Sequence, residues 1–527
     1  MTHTATDLTN ERMTPRWVER IVTGRETSTR RVFWTTFVAL ALVSGIWALS
    51  NPLMASVDEP AHVIKAVATV EGAENTRTGG SADGIGKVEI PHLYYQLSRY
   101  PNCFAFQPWV SVACQPSLAG DIDAVATVPT SAINYNPLYY AVVGWPALLP
   151  DGEHTVYLMR IVNALVASAL VAAAAAIVST FPARRWIGLA LLLVLTPTLV
   201  NLLGSVNPQS FEVGGAILLW VSLLALLRHP DPRYQTSRLV AVVAATVPLA
   251  NARSLGPLMV VVILALCILS APWERTVDLL RDRRSWVALG LSVAACAASV
   301  LWTLTQDALP EGASHGTALI DTVKGTLGLT SAYVQQIFVA LGWLDVPAPQ
   351  WVVFSFIACL GAVVIIAWAA GRTRDRLVTA AAAAVVFALP LASHITQADK
   401  IGFFWQGRYA FPIAFGVVLL SGFALAHRER VIPSWLTTNI VTTVALAFAS
   451  LQVVMFYGML RRYANGETGG WILRSQLPWL PLPGIVVTAL YAAAWVGLVV
   501  VVLRSTTTPV EPAAGADSLA EDPVASS

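Results

Sequence analysis

The chain has 527 residues, of which 56% are hydrophobic and 12% are charged, and its formal net charge is +2. A soluble globular chain carries about 25% charged residues, so this composition indicates an integral membrane protein. The small net charge and the lack of a basic stripe with interleaved aromatic residues give no reason to expect a nucleic-acid partner. Five cysteines are too few for a disulfide scaffold, and no Cys/His metal-binding spacing is present.

Long apolar runs recur along the chain and predict an all-α polytopic membrane protein. About 20 apolar residues cross the hydrocarbon core as a helix, and on that basis we expect about twelve transmembrane helices. They are placed near residues 33–52, 155–180, 186–204, 209–228, 238–251, 254–272, 286–304, 351–371, 377–394, 409–426, 434–458 and 481–503. Arginines concentrate in the segments that a cytoplasmic N-terminus puts inside, so we expect a multi-pass plasma-membrane protein with both termini cytoplasmic.

The segments outside these runs complete the predicted organisation. They are a basic cytoplasmic lead at 1–32, a transmembrane domain at 33–504 with long extracytoplasmic loops at 53–154 and 305–350, and a disordered tail at 505–527. Within the first loop, residues 136–149 are apolar but short and bounded by prolines, which favours an interfacial or re-entrant helix. Cys103 and Cys114 share this loop and could form a disulfide in that compartment, although their spacing does not establish one.

Polar residues gather at the helix ends that this topology places on the outer face. Asp58 and Glu59 follow the first span, and His62 shares their face if the segment is helical. The other members of this group are Arg160, Asn207, Arg253, Asp345, Gln406, Arg408 and Tyr409. An ionisable residue at a membrane is a functional hypothesis by default, and the one-sided distribution predicts a single extracytoplasmic site built from several helix ends.

Most of these residues also have a structural alternative to a functional role. The alternatives are a helix cap for Asp58 and Glu59, a satisfied loop carbonyl for His62, headgroup contact for Arg160 and Arg253, and hairpin or turn formation for Asn207 and Asp345. An arginine fork binds phosphate through two parallel hydrogen bonds, which favours a ligand-binding role for Arg408 in its polar cluster.

A carboxylate beside arginines at a membrane surface suits sugar transfer from a polyprenyl-phosphate donor. A positioned Asp or Glu can take the proton of the acceptor hydroxyl, and a nearby arginine stabilises the phosphate as it leaves. No Walker loop or Rossmann glycine fingerprint is visible, so an activated lipid is a better donor than a cytosolic nucleotide sugar.

Several short motifs resemble those of a known family. They are Val57-Asp-Glu-Pro-Ala-His62, Asn136-Pro-Leu-Tyr-Tyr140, Asn207-Pro208, Gly342-Trp-Leu-Asp345 and Gln406-Gly-Arg-Tyr409. In order and type they resemble the bacterial membrane family DUF2142, which is similar to the GT-C superfamily of glycosyltransferases. The resemblance implies a GT-C-like bundle in which Asp58 is the catalytic base, with Glu59 the second choice. Asn136 and Gln209 depart from the family pattern, and Gln209 replaces a residue that is commonly acidic.

These observations predict a membrane glycosyltransferase that moves a sugar from a polyprenyl-phosphate lipid to an extracytoplasmic cell-envelope glycan or glycoprotein. The predicted catalytic residues are Asp58, Glu59 and His62, and the predicted substrate- or phosphate-binding residues are Arg160, Asn207, Arg253, Asp345, Gln406, Arg408 and Tyr409. No metal ligand set is assigned, although the clustered carboxylates leave room for a divalent metal. The alternatives are a lipid-linked glycan flippase or transporter and a non-catalytic scaffold of envelope assembly. The composition favours a high-GC bacterium such as an actinobacterium, and the sequence does not fix the oligomeric state.

Overall fold

The computed structural model describes residues 28–73, 85–306, 316–428, 432–473 and 477–507. Most of the predicted basic lead and of the predicted disordered tail therefore lies outside the described residues. The α-helices are α1 Thr29–Ser50, α2 Glu59–Glu71, α3 His92–Ser98, α4 Pro137–Gly144, α5 Glu153–Val178, α6 Arg185–Leu193, α7 Pro197–Leu203, α8 Gln209–Arg228, α9 Gln235–Ala252, α10 Gly256–Leu269, α11 Trp273–Leu280, α12 Arg283–Thr305, α13 Leu319–Gly328, α14 Thr330–Val339, α15 Gln350–Ala370, α16 Thr373–Ile401, α17 Phe411–Ala426, α18 Ser434–Asn465 and α19 Gly484–Thr507. Short 3₁₀ helices occupy Tyr100–Cys103, Val112–Cys114, Trp145–Leu148 and Gly407–Ala410, and the strands are β1 Gly86–Pro91 and β2 Val125–Thr130.

Helices stand at each of the positions where the sequence predicts a span, and the all-α membrane fold is confirmed. Among the described residues, nine helices are long and apolar enough to cross a membrane, or up to eleven if each of two bent pairs is one span. The bent pairs are α6 with α7, at 71°, and α10 with α11, at 118°. The remaining predicted position is α9, which contains Pro248 and is not among these eleven.

The centre of the bundle is α8, whose apolar window is buried on all sides. It packs against α5, α9, α10 and α17, and α17 is itself largely buried. A helix that is apolar around its whole circumference belongs in the interior, because every face must then be covered by another element. The polar residues at the N-terminal end of α8 are therefore held inside the protein.

The segment between α1 and α5 folds over one end of the bundle. Helix α2 packs against α3, α4 and both strands, which pair antiparallel with Val88 opposite Val128. The strands are a feature that the sequence did not predict. Helix α4 has only eight residues, about 12 Å of helix, and therefore cannot cross a core about 30 Å thick. Cys103 and Cys114 form a disulfide in this segment.

Candidate functional site

Asp58 lies in the turn between α1 and α2 and is the carboxylate that reaches the predicted polar cluster. Its side chain is 45% exposed, and its Oδ2 accepts a hydrogen bond from Arg408 Nη2 at 2.5 Å, across 350 residues of sequence. Asp58 occupies the N-cap position of α2, but its side chain makes no capping hydrogen bond. Its φ of 65° lies in the left-handed region, which Asp tolerates better than most residues. The turn presents the carboxylate to Arg408 and not to the helix.

The motif Gln406-Gly-Arg-Tyr409 fixes Arg408 from both sides. Gln406 Oε1 accepts from Arg408 Nε at 2.7 Å, and the Arg408 side chain is only 2% exposed. Gly407 fits where no larger residue would, since a Cβ there would lie 1.9 Å from the carbonyl oxygen of Tyr333. Arg408 is thus an oriented, buried cation with Asp58 at its end.

Arg253 is a second cation at the same place, and it has unused donors. Its guanidinium carbon lies 3.9 Å from the centroid of the Tyr409 ring, and that of Arg408 lies 5.3 Å from the same ring. Among the residues that the structure describes, none makes a hydrogen bond or an ion pair with the Arg253 guanidinium. Cation–π contact therefore holds the group in place while its N–H donors stay available for a ligand.

His62 lies behind Asp58 as a neutral side chain. Its Nδ1 is 2.8 Å from the hydroxyl of Tyr140, and its ring packs edge-on against Tyr135. Burial lowers the pKa of His62 to about 3. The Asp58 carboxylate acts to raise this pKa, and the positive charges of Arg408 and Arg253 act with burial to lower it. The ring binds a tyrosine hydroxyl, whereas the alternative from sequence was a loop carbonyl.

The pKa of Asp58 lies below its ordinary value. Burial acts to raise this pKa, but the neighbouring positive charges outweigh it. Because His62 is neutral at pH 7, the charges responsible are those of Arg408, which also donates the hydrogen bond, and Arg253. Asp58 is accordingly an anion throughout the neutral range.

The turn that leads into α8 adds three buried polar side chains. Asn207 Oδ1 accepts from the backbone N–H of Gln209, and Gln209 Nε2 donates to the carbonyl of Arg408 at 2.6 Å. Asn207 Nδ2, Gln209 Oε1 and Glu212 Oε2 are all buried and have no hydrogen-bond partner within the described protein. Glu212 also interacts electrostatically with Arg253. The Asn207 side chain thus forms the turn that was its structural alternative, and its amide nitrogen remains without a partner among the described residues.

Glu59 and Arg160 form a separate, wholly buried pair. Both side chains have no exposed area, and Arg160 Nη2 donates to Glu59 Oε2 at 2.6 Å while its Nε donates to Oε1 at 2.7 Å. The other N–H groups of Arg160 donate to carbonyls at the end of α1. The predicted phosphate-binding role of Arg160 requires free donors, and it has none. The predicted role of Glu59 as an alternative base requires contact with a substrate, but its carboxylate is fully buried.

Asp345 is similarly occupied elsewhere. Its Oδ2 accepts from Arg462 Nη2 at 2.6 Å, with Arg462 unexposed and Asp345 only 3% exposed. Arg462 lies near the end of α18 and was not among the predicted site residues, because it reads as the flank of an apolar helix. This pair ties loops together and does not line the cluster around Asp58.

The site that the structure assembles contains Asp58, Arg253, Gln406, Arg408 and Tyr409, with Asn207 at its edge. Within the described ranges, no group of three or more His, Cys, Asp or Glu side chains could hold a metal ion. The structure adds Gln209, Glu212, Tyr135 and Tyr140 to the predicted set. The sequence signal for them was their position beside recognised motifs.

Comparison with known proteins gives one family and two distant structures. The model of the family described as "Predicted membrane protein (DUF2142)" matches residues 40–417. No curated protein matches the chain. ArnT from Cupriavidus metallidurans, bound to undecaprenyl phosphate, is 16% identical, with 90% of this chain and 77% of that chain covered at a TM-score of 0.41. The apo form of that protein gives 16% identity, coverage of 90% and 76%, and a TM-score of 0.40. A likeness at that level is too weak to transfer a site or an activity.

Proposed function

The chain belongs to the DUF2142 family of predicted membrane proteins, and for this member we propose a glycosyltransferase that uses a polyprenyl-phosphate sugar. The observation that carries the proposal is the half-exposed Asp58 carboxylate held against the buried guanidinium of Arg408. This pair combines a solvent-accessible base with a fixed cation at one end of the helix bundle. The resemblance of the motifs to GT-C enzymes agrees with it but remains an analogy.

The two arginines provide for the phosphate of the donor. Arg253 has free donors, and the Tyr409 ring holds it beside Arg408. In the proposed complex Arg253 binds phosphate oxygens directly, and Arg408 adds the fixed positive charge. As the bond from the anomeric carbon to the phosphate oxygen breaks, the charge that develops on that oxygen is stabilised by both groups.

Asp58 provides for the acceptor. In the proposed step its carboxylate takes the proton of the acceptor hydroxyl, and that oxygen attacks the anomeric carbon as the phosphate leaves. One displacement with one base inverts the anomeric configuration. A bound phosphate also partly neutralises Arg408 and Arg253, which raises the pKa of Asp58 toward the range where a carboxylate is an effective base.

The unpartnered polar atoms of Asn207, Gln209 and Glu212 suit the sugar of the donor. Buried polar atoms without partners cost stability unless a ligand or water satisfies them. Sugar hydroxyls can both donate and accept, and they match an amide N–H, an amide oxygen and a carboxylate oxygen. We place the sugar between this turn and Asp58, on the extracytoplasmic side that the arginine distribution predicts, with a cell-envelope glycan or glycoprotein as acceptor.

The proposal is tested by presenting purified protein in nanodiscs with radiolabelled sugars on three carriers. These are a polyprenyl monophosphate, a polyprenyl diphosphate and a nucleotide diphosphate, with arabinose, mannose or glucose as the sugar. We expect the protein to consume only the sugar on polyprenyl monophosphate and to release free polyprenyl monophosphate. Asp231→Asn is the matched control and should behave as the wild type. Asp231 pairs with the well-exposed Arg233 in a turn between α8 and α9.

Other outcomes overturn the proposal in different ways. Consumption of a nucleotide sugar would refute the donor class. Movement of intact lipid-linked sugar across liposomes without consumption would establish the transporter alternative. If the protein neither consumes nor binds any of the carriers, the scaffold alternative remains.

A further inference from the structure

Among the described residues, those with strained backbone lie in three segments that pack on one another, and one of these segments contains Asp58. Within the described ranges, the residues other than glycine with positive φ are Met54, Asp58, Phe106 and Leu344. Each such conformation costs about 1–3 kcal/mol and persists only where the surroundings impose it. Backbone strain of this kind clusters at functional sites, and here it marks the junction of three separate segments.

Hydrogen bonds join those segments into one unit. Val57 N–H donates to the carbonyl of Gly342 at 3.0 Å, and Trp343 Nε1 donates to the carbonyl of Met54 at 3.0 Å. The hydroxyl of Tyr463 donates to the carbonyl of Ala55 at 2.7 Å. The turn that presents Asp58 therefore rests directly on the segment that contains Trp343.

Arg462 fixes the third segment to the same unit. Its guanidinium donates to the carbonyls of Phe104, Gln107 and Val110, and to the carboxylate of Asp345. The disulfide between Cys103 and Cys114 closes the ends of that loop. Arg462 Nε also donates to the carbonyl of Asp345, and a buried arginine with five acceptors holds the loop rigidly, because its fork fixes distances and directions.

The unit presents aromatic rings to the outside. Phe106 is 64% exposed and Trp109 is 58% exposed, while Trp343 is half-buried with its ring 5.6 Å from that of Phe106, edge to face. We call Phe106, Trp109 and Trp343 the aromatic surface. Phe106 and Trp109 lie in the loop that the disulfide closes, and Trp343 contacts Phe106, so the three rings belong to one unit.

We infer that the aromatic surface binds the saccharide acceptor and delivers its hydroxyl to Asp58. The axial C–H groups of a sugar ring present an apolar, weakly positive face, which stacks on the negative face of an aromatic ring. Aromatic residues also settle in the headgroup layer of a membrane, where no fixed orientation is needed. The backbone that carries these rings is fixed to the turn that presents Asp58, so a ligand stacked on them lies beside the proposed base, which is the place of a sugar acceptor. The inference rests on the proposed function for the identity of its occupant.

The test measures saccharide binding without chemistry. Purified full-length protein is applied to an array of gluco-, manno-, galacto- and arabino-oligosaccharides, with Phe106→Ala and Trp109→Ala as variants. Trp273→Ala is the matched control, since Trp273 is 64% exposed at the start of α11. We expect binding to at least one series, weakened about tenfold by either variant, which is the scale of one aromatic contact, and unchanged by the control.

Three results would overturn the inference. They are no saccharide binding by the wild type, equal binding by all variants, or a spin label at Phe106→Cys that reports burial in lipid. The outcome is separate from that of the proposed function. Binding that follows the variants without any donor consumption would leave a glycan-binding surface on a protein that is not a transferase. Donor consumption with binding unaffected by the variants would leave a transferase whose acceptor binds elsewhere.

Discussion

The adjacent carboxylates Asp58 and Glu59 should respond very differently to loss of charge. Glu59→Gln leaves Arg160 charged, unexposed and without its counter-ion. Breaking a buried ion pair by removing one partner costs about 3–5 kcal/mol, because the remaining charge is uncompensated. Asp58→Asn changes a carboxylate that is 45% exposed, and Arg408 keeps its hydrogen bond with Gln406. Arg408 is buried, but water reaches the Asp58 end of the pair and screens it toward the exposed case, which contributes about 1 kcal/mol or less.

The assay is denaturant unfolding of purified protein in detergent, followed by tryptophan fluorescence, for the wild type and both variants. We expect the free energy of unfolding to fall by at least about 2 kcal/mol more for Glu59→Gln than for Asp58→Asn. Asp231→Asn serves as the control for loss of an exposed acid–arginine pair. Equal losses for the two variants, or a larger loss for Asp58→Asn, would refute the assignment of Glu59 to structure and Asp58 to the site.

Three further predictions concern Arg253, Asp58 and His62. Arg253→Gln removes a cation aimed at the donor phosphate, so turnover of a polyprenyl-phosphate sugar should fall about 10²-fold, while thermal stability changes little. Because bound phosphate raises the pKa of Asp58, the acid limb of the pH profile for kcat should lie at higher pH than that for kcat/KM. His62 is neutral when folded, with its pKa lowered to about 3 from 6.5. As pH falls, His62 is therefore protonated in the unfolded chain before it is protonated in the folded protein. Its contribution to the free energy of unfolding should be constant above pH 6.5 and decline from there toward pH 3. His62→Gln should flatten that decline in denaturant unfolding at stepped pH.

Each of these predictions has a contrary result. Unchanged turnover by Arg253→Gln would remove that residue from the phosphate site, and Arg233→Gln, which changes an exposed arginine, is its control. Coincident acid limbs would show that phosphate does not reach the arginines beside Asp58. An equal acid-side decline in wild type and His62→Gln would assign the loss of stability to other groups.

The fold was largely predictable because membrane-spanning helices can be recognised in a sequence as long apolar runs. The pairing of β1 with β2 was not, since strands of six residues in a polar loop carry no comparable signal. The convergence of Asp58 with Arg408 followed from topology, which put both at helix ends on one face. The choice between Asp58 and Glu59 did not follow, because a single left-handed turn sends adjacent side chains to different partners.

Arginine roles were the least predictable feature of the site. Arg160 lies in the first turns of α5, Arg253 just after α9 and Arg462 near the end of α18. Local sequence does not show which of these guanidinium groups has all its N–H donors in use. What decides is the set of hydrogen-bond acceptors within reach. Arg160 has backbone carbonyls and Glu59, Arg462 has loop carbonyls and Asp345, and Arg253 has a ring face but no hydrogen-bond acceptor among the described residues. Such sets exist only once distant segments have packed.

The most direct measurement compares wild type and Asp58→Asn, at matched thermal stability, for turnover of a radiolabelled polyprenyl-phosphate sugar. Loss of a general base lowers turnover by about 10²–10⁴-fold, and we predict a loss in that range with the donor still bound. Turnover by Asp58→Asn equal to that of the wild type would contradict the assignment of Asp58 as the base.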